Sequence, residues 1–353
     1  MTRETTDFDH IRRMRDANPK MRERDLAAML ELSEAEFVAA FCGDTVRRID
    51  IRFDDIFKGL EAVGEVLALT RNESAVHEKA GVYDKFIPGK RAAMMLGADI
   101  DTRMFPAVWV HGFAVAKPQE DGTVRHSLQF FDAHGDAVHK IHTRDKTDLD
   151  AWEALVTGLL AEDQEPGLLQ DVVPAEIASR PQPDAEKQDA LRERWQSLTD
   201  PHQFHGMLRD LDLHRLNALT LAGEHNAWVL DPSAVADLLQ RAAEAELPIM
   251  CFVGSRGCIQ IHSGPVAKIA SMGPWINVMD PGFHLHLRTD HIAEAWAVRK
   301  PTKDGHVTSV EAYDANGTLI IQFFGLRKEG NVERSDWREL VQNLPRFEAV
   351  AAE

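Results

Sequence analysis

An internal repeat constrains this chain more than any other feature. Lys117-Pro118 is followed by Asp121-Gly122, and Lys300-Pro301 by Asp304-Gly305, an offset of 183. Phe131-Asp132-Ala133-His134-Gly135 parallels Tyr313-Asp314-Ala315-Asn316-Gly317 at an offset of 182. Val115-Ala116-Lys117 matches Val298-Arg299-Lys300, and Phe113 takes the place of Trp296. So long a colinear set marks a duplicated unit of roughly 150–160 residues. The 353 residues therefore divide into two copies, 1–161 and 191–353, joined by a linker at 162–190. That segment holds four of the 16 prolines, is acidic and has no sustained apolar period, the composition of a linker or surface excursion.

Each copy reads helices first and strands second. Ser33-Glu34-Ala35-Glu36 is a capping box opening a short helix, and Phe53–Val63 continues helically. In copy two, Asp231-Pro232 supplies a cap and an N1 proline before an amphipathic helix at Ala234–Glu246, which stops at Pro248. Short strand-like runs follow at Ile249–Val253, Ile259–His262, Val266–Ala270, Trp275–Val278, Phe283–Leu287, Ala293–Val298, Val307–Tyr313 and Leu319–Phe323. Several alternate in polarity between Gly, Pro, Asp or Asn turns, as in an antiparallel meander. The fold class is α+β, with helices segregated from an antiparallel sheet.

Forty Lys and Arg against 57 Asp and Glu leave a formal charge of -17. That excess argues against sequence-independent nucleic-acid binding and against docking on anionic lipid, both of which need a basic face. Cys42, Cys251 and Cys258 form no CxxC pair and no zinc spacing, which predicts a reducing compartment. The charged N-terminus lacks the apolar stretch of a secretory signal, and no window approaches the ~18–20 apolar residues of a membrane span. A cytoplasmic protein without membrane insertion is expected.

Standard catalytic signatures are missing: there is no GxSxG, P-loop, HExxH or Rossmann glycine motif. Gly254-Ser255-Arg256-Gly257 falls between strand-like runs and reads as a hairpin turn. Two histidine groups stand out. His202 and His205, at i and i+3, open what reads as the first helix of copy two, with Asp200 or Thr199 as cap, and point to one face. A neutral imidazole there could ligate a metal; the plainer reading is two partly exposed histidines at a helix start. The matching region of copy one, near Met21-Arg22-Glu23-Arg24, has no histidine. His284 and His286 share one side of a strand, in pattern a solvated sheet face. Arg103, Arg215, Lys300 and Arg327 are either surface partners for carboxylates or, if they converge, an anion site.

Several stretches together closely resemble the haemin-degrading and haem-trafficking (HemS-like) family of cytoplasmic bacterial proteins. In the second copy these are Asp200-Pro201-His202-Gln203-Phe204, Phe252-Val253-Gly254-Ser255-Arg256-Gly257-Cys258-Ile259-Gln260-Ile261 and Gly273-Pro274-Trp275-Ile276-Asn277-Val278. Ala293-Glu294-Ala295-Trp296-Ala297-Val298-Arg299-Lys300-Pro301-Thr302 and Gln322-Phe323-Phe324-Gly325-Leu326-Arg327-Lys328-Glu329-Gly330 follow. Copy one adds Thr70-Arg71-Asn72-Glu73 and Asp101-Thr102-Arg103-Met104-Phe105-Pro106. The similarity covers nearly the whole chain. It implies two repeats, with two large antiparallel sheets stacked centrally, helices outside and a ligand cleft between the halves.

The resemblance also implies haem (iron protoporphyrin IX) as the ligand and His202 as the axial ligand to its iron. Arg103 is then the distal residue near the open sixth position and the implied catalytic group, and Phe105 packs on the porphyrin. Arg215, Lys300 and Arg327 fall where the family contacts the propionates or the distal face, with Gln322 as a polar neighbour. Phe324 stands where several relatives have tyrosine, so a hydroxyl is lost there. His205 is implied as an alternate ligand or transfer relay, and His77 as a candidate for a secondary haem site. Haem suits such a site physically, being a flat apolar disc with two carboxylates that needs apolar walls, a few cations and one axial base.

Two functions follow from the resemblance. One is a carrier, which takes haem arriving from a haem ABC importer and passes it to a haem oxygenase. The other is an enzyme that opens the ring with electrons from an external donor, releasing iron. A third class, a cleft for another hydrophobic acid or a structural partner, is separated from both by mixing the protein with haemin.

Overall fold

The computed structural model describes residues 7–175, 185–327 and 330–347. They fall into two compact units: Met1–Arg71 with Glu78–Glu176 and Gly254–Gln260, and Asn72–His77 with Ile177–Val253 and Ile261–Glu353.

The first unit opens with α1 (Phe8–Ala17), α2 (Glu23–Met29) and α3 (Glu34–Ala39), then β1 (Val46–Arg48) and α4 (Phe53–Val63). Strands β2 (Gly64–Arg71), β3 (Ala75–Gly81), β4 (Phe86–Ile87), β5 (Ala93–Leu96), β6 (Asp101–Met104), β7 (His111–Pro118), β8 (Val124–Phe131) and β9 (Ala137–Thr147) follow, and α5 (Leu149–Leu159) closes the set. The expected capping box forms: Ser33 accepts from the Glu36 N–H, and Glu36 accepts from the Ser33 N–H at 2.9 Å. Helix α4 buries Ile56, Phe57, Leu60 and Val63, one stripe at helical spacing. The Asp132–Gly135 turn needs its glycine twice over: φ is 77°, and a Cβ there would sit 2.4 Å from that of Ser33.

In the second unit α6 (Gln188–Gln196), α7 (Gln203–Asp210) and α8 (Arg215–Ala222) lead to β10 (Ala227–Leu230) and α9 (Ala234–Glu244). Then come β11 (Ile249–Gly254), β12 (Cys258–Gly264), β13 (Ile269–Met272), β14 (Trp275–Asp280), β15 (Phe283–Arg288), β16 (Glu294–Thr302), β17 (Gly305–Tyr313), β18 (Leu319–Gly325) and α10 (Ser335–Gln342). The strands form two nine-stranded antiparallel sheets, with strand orders β1-β7-β8-β9-β2-β3-β15-β14-β13 and β10-β16-β17-β18-β11-β12-β6-β5-β4. Their first five strands repeat one meander, and the paired turns of the sequence fall at equivalent hairpins. The fold is α+β and duplicated, as the sequence implies.

Local expectations need adjusting. Each meander is followed by a helix, α5 or α10, that the helices-then-strands reading omits; Trp337 of α10 is fully buried and donates to the Thr308 carbonyl at 3.0 Å. Helix α9 starts at Ala234 with Ser233 at the N-cap and ends at Glu244. Pro232 thus precedes the cap, and Asp231 accepts from the Ser233 N–H and hydroxyl in a tight turn. The strand expected at Val266–Ala270 lies at Ile269–Met272. The Gly254–Gly257 hairpin forms, closed by the Ser255 N–H on the Cys258 carbonyl at 2.8 Å.

The start of the expected linker is docked rather than free. Gln164 accepts from the Arg48 N–H and donates to the Arg48 carbonyl, so it mimics a strand partner for β1. Residues 176–184 of that segment lie outside the described residues.

Within the first unit, His139 is wholly enclosed, its Nδ1 2.8 Å from Thr70 Oγ1 and its Nε2 2.6 Å from the Tyr83 hydroxyl. Burial pushes its pKa down to about 3. Because the folded value lies below the unfolded one, this contribution is complete above pH ~6.5 and is lost as pH falls towards 3. Chemical unfolding at pH 5 is expected to show about 2 kcal/mol less stability from this group than at pH 7. A His139→Gln variant should flatten that slope; an unchanged slope refutes the assignment.

Candidate functional site

The second unit's meander places its site by alternation. On one face of β16, β17 and β18 lie Trp296, Val298 and Lys300, then Ser309, Glu311 and Tyr313, then Gln322 and Phe324, aligned by the registers Trp296↔Glu311, Glu311↔Gln322 and Ser309↔Phe324. Helices α6, α7 and α8 cover part of this face, burying Leu191, Trp195, Phe204, Met207, Leu216 and Leu219 against Trp296, Val298 and Tyr313. The cover reaches Leu319 at the start of β18 and leaves the rest of that face of β18 and β11 more open. Gln322, Phe324, Phe252 and Met250 stay half-buried, while Phe323, Val253 and Cys251 on the opposite face are fully buried. Phe252 and Phe324 meet edge-on at 5.1 Å. A flat, partly open apolar strip borders the helices.

Glu311 sits where the strip meets the helices, with no exposure. Arg215 grips it with two N–H groups, Nε at 2.8 Å from Oε2 and Nη2 at 2.7 Å from Oε1. Lys300 Nζ donates at 3.1 Å, Gln322 Nε2 at 3.0 Å, Ser309 Oγ at 2.8 Å and the Tyr313 hydroxyl at 2.6 Å. Burial alone would raise the pKa of Glu311, but Arg215 and Lys300 hold it well below the carboxylate range. Burial pulls Lys300 down to about 8 against the pull of Glu311. Both cations also lie over the Phe204 ring, at 5.1 and 4.7 Å. Thus Arg215 and Lys300, assigned by resemblance to an anionic ligand, are engaged by a protein carboxylate that the sequence reading missed. The signal for it was the i, i+2, i+4 polar set Ser309, Glu311, Tyr313 on a strand with buried neighbours.

His202 caps α7 rather than lying within it, and α6 precedes α7, so this is not the first helix of the copy. Asp200 accepts from the His202 N–H at 2.8 Å and contacts its Nδ1 at 2.7 Å. The pairing keeps the proton on Nδ1 and leaves the lone pair on Nε2 outward, on a side chain that is 93% exposed. The His202 backbone N–H chiefly, then its ring and Arg327, hold Asp200 below its usual pKa. Arg327 therefore lies within electrostatic reach of the His202 loop; its Nη1 donates to the Asn331 carbonyl at 3.3 Å. Desolvation, reinforced by Arg215 and Lys300, lowers His205 to about 4, so this second imidazole is neutral at physiological pH. The structure brings His202, His205, Arg215, Lys300, Gln322, Phe324 and Arg327 together in the second unit.

In the first unit, Arg103 on β6 pairs with Asp101 through Nη1 and donates to the Thr102 carbonyl at 3.2 Å. Phe105 is half-buried, its N–H on the Gly257 carbonyl at 2.9 Å. His77, which belongs to the second unit, is fully buried in β3, its ring 4.9 Å from that of Phe283.

Fold and site together define a duplicated α+β protein with a carboxylate-oriented histidine beside an apolar sheet face. The chain belongs to the HemS family: the haemin-degrading HemS.ChuX domain matches it twice, at residues 31–159 and 212–344. It is 39% identical over 328 residues to the hemin transport protein HemS of Yersinia enterocolitica, covering 93% of this chain and 94% of that one. The crystal structure of holo-PhuS, a heme-binding protein from Pseudomonas aeruginosa, matches with a TM-score of 0.91 and 42% identity, covering 96% and 98% of the two chains. ChuS, an E. coli heme oxygenase, matches with a TM-score of 0.85 and 35% identity over 95% and 99%. Among the described residues no helix is long and apolar enough to cross a membrane.

Proposed function

We propose that this chain binds haem as its cargo, with His202 Nε2 as the axial ligand to iron, and serves bacterial haem uptake and iron acquisition. The observation that carries the reading is the Asp200–His202 pair, which orients an exposed imidazole as metal-ligating histidines are oriented. The half-open strip of Met250, Phe252 and Phe324 offers a flat apolar surface for a porphyrin, and Arg327 a cation for a propionate. Arg215 and Lys300, held by Glu311, act as positioning residues: burial chiefly, and then their field, keep His205 neutral and able to take iron in turn. Arg103 and Phe105 are proposed, from the resemblance, as further haem contacts.

Handing haem on is the favoured activity. Two imidazoles one helical turn apart, His205 neutral through burial, suit ligand exchange, and Phe324 lacks a hydroxyl to donate to an iron-bound group. A haem importer as source and a haem oxygenase as acceptor are the partners this reading implies. Titration with haemin should give a sharp Soret band saturating at ~1:1. Asp200→Asn should weaken binding on the order of 10-fold, as loss of a ligand-orienting carboxylate does elsewhere; unchanged affinity refutes the orienting role. Incubation with ascorbate and catalase under air should leave the band intact, whereas its loss with a defined tetrapyrrole product establishes ring opening instead.

A further inference from the structure

The first unit contains a cavity of about 150 Å³ remote in sequence from every haem-site candidate of the second unit, lined by Arg48, His111, Ile49, Ile51, Trp109 and Phe113 among others. Leu168, Leu169 and Gln170, part of the segment that reads as a linker, also line it. Arg48 is 5% exposed and His111 7%. Arg48 Nη2 donates to the carbonyls of Glu165 and Gly167 at 2.7 and 2.6 Å, which fixes the guanidinium against the cavity wall. No nitrogen or oxygen acceptor pairs with its Nε or Nη1, although the weakly accepting Cys42 thiol interacts with Arg48, and His111 Nε2 has no hydrogen-bond partner.

A buried guanidinium without a counter-ion is costly, because carbonyl dipoles do not neutralise its charge. Among the described residues no carboxylate lies within ion-pair distance of Arg48. Asp50 lines the cavity but is exposed. Cys42 lies beside Arg48, but burial pushes its thiol up to about 11, so it carries no compensating charge. Burial and then Arg48 lower the pKa of His111 against the pull of Asp132 and Glu36, and its Nε2 is left to meet a ligand. The site therefore holds a buried cation with no carboxylate in direct contact, two side chains with spare nitrogens and apolar walls, with the exposed Asp50 also among its lining residues.

We infer that this cavity is a binding site for a small monocarboxylate, its oxyanion on Arg48 and His111 and its short hydrocarbon body against Ile49, Ile51, Trp109 and Phe113. The size is adequate: a cavity of about 150 Å³ in another protein accepts benzene, which has as many heavy atoms as butyrate. Ordered water would satisfy the nitrogens but leave the charge uncompensated and the apolar walls wetted.

The test uses the full chain and butyrate as probe, followed by saturation-transfer NMR and calorimetric titration. Saturable ~1:1 binding is expected, weakened at least about tenfold in His111→Phe and in Arg48→Met, with inorganic phosphate a poor competitor because it has no hydrocarbon part. His111→Phe keeps the ring volume, so it decides the matter if Arg48→Met fails to fold through loss of the Glu165 and Gly167 contacts. No saturable binding, binding unchanged in His111→Phe, or phosphate binding more tightly than butyrate overturns the inference.

Discussion

Glu311→Ala is expected to be the most damaging single substitution in the second unit. It removes the acceptor of six hydrogen bonds and leaves Arg215 and Lys300 buried beside each other without a counter-charge. Breaking a buried ion pair by deleting one partner costs about 3–5 kcal/mol, far more than the pair contributes over an apolar replacement. Urea unfolding monitored by tryptophan fluorescence should show a loss of that size; a loss below about 1 kcal/mol would show that the cations find other partners. Removing the charges together is expected to recover much of the loss, since the cost lies in unpaired charge rather than in missing contacts. The pair also couples to pH. The folded pKa of Glu311 lies far below its unfolded value near 4.5, so the stability it provides is fully present above that value and is lost as pH falls through the folded one.

His202→Ala should have the largest effect on ligand binding. Haem without an axial base keeps only its apolar and propionate contacts, so affinity should fall by more than the roughly 10–100-fold typical of losing a residue that merely orients a metal ligand. The Soret band should broaden and shift. His205 then becomes the available imidazole; being neutral, it needs no deprotonation to bind iron. The residual spectrum of His202→Ala should therefore vanish in the His202→Ala/His205→Ala double variant, while His205→Ala alone should leave the equilibrium spectrum nearly unchanged. Identical spectra for the parent and His202→Ala would refute the ligand assignment.

Much of this was legible in the chain. The Lys-Pro and Asp-Gly turns at a constant offset revealed the duplication because hairpin geometry ties glycine and aspartate to fixed places. Ser33 and Glu36 revealed their helix because a capping box is a local device. Helix α10 escaped because no side chain caps its start, and α5 escaped although Asp148 accepts from the Ala151 N–H at its start; tertiary burial of Trp337 and Trp152 holds them in place. Glu311 escaped for a different reason: its partners come from α8, β16, β17 and β18, and no linear pattern assembles donors from four elements. Asp200 was visible as a cap but not as the partner of His202, since the chain turns one step before the helix begins. Gln164 and Leu168 read as linker because the segment around them is polar and proline-flanked, although Gln164 bonds to Arg48 of β1 and Leu168 packs against the core that holds Val46.

Iron–histidine ligation can be read directly. The ferrous haem complex should show an Fe–N(imidazole) stretching band in resonance Raman spectra. That band should be absent from His202→Gly/His205→Ala and return when free imidazole is added to fill the space left by the ring. A band that persists in the double variant at its original frequency, with no response to imidazole, would place the ligand elsewhere and contradict the account.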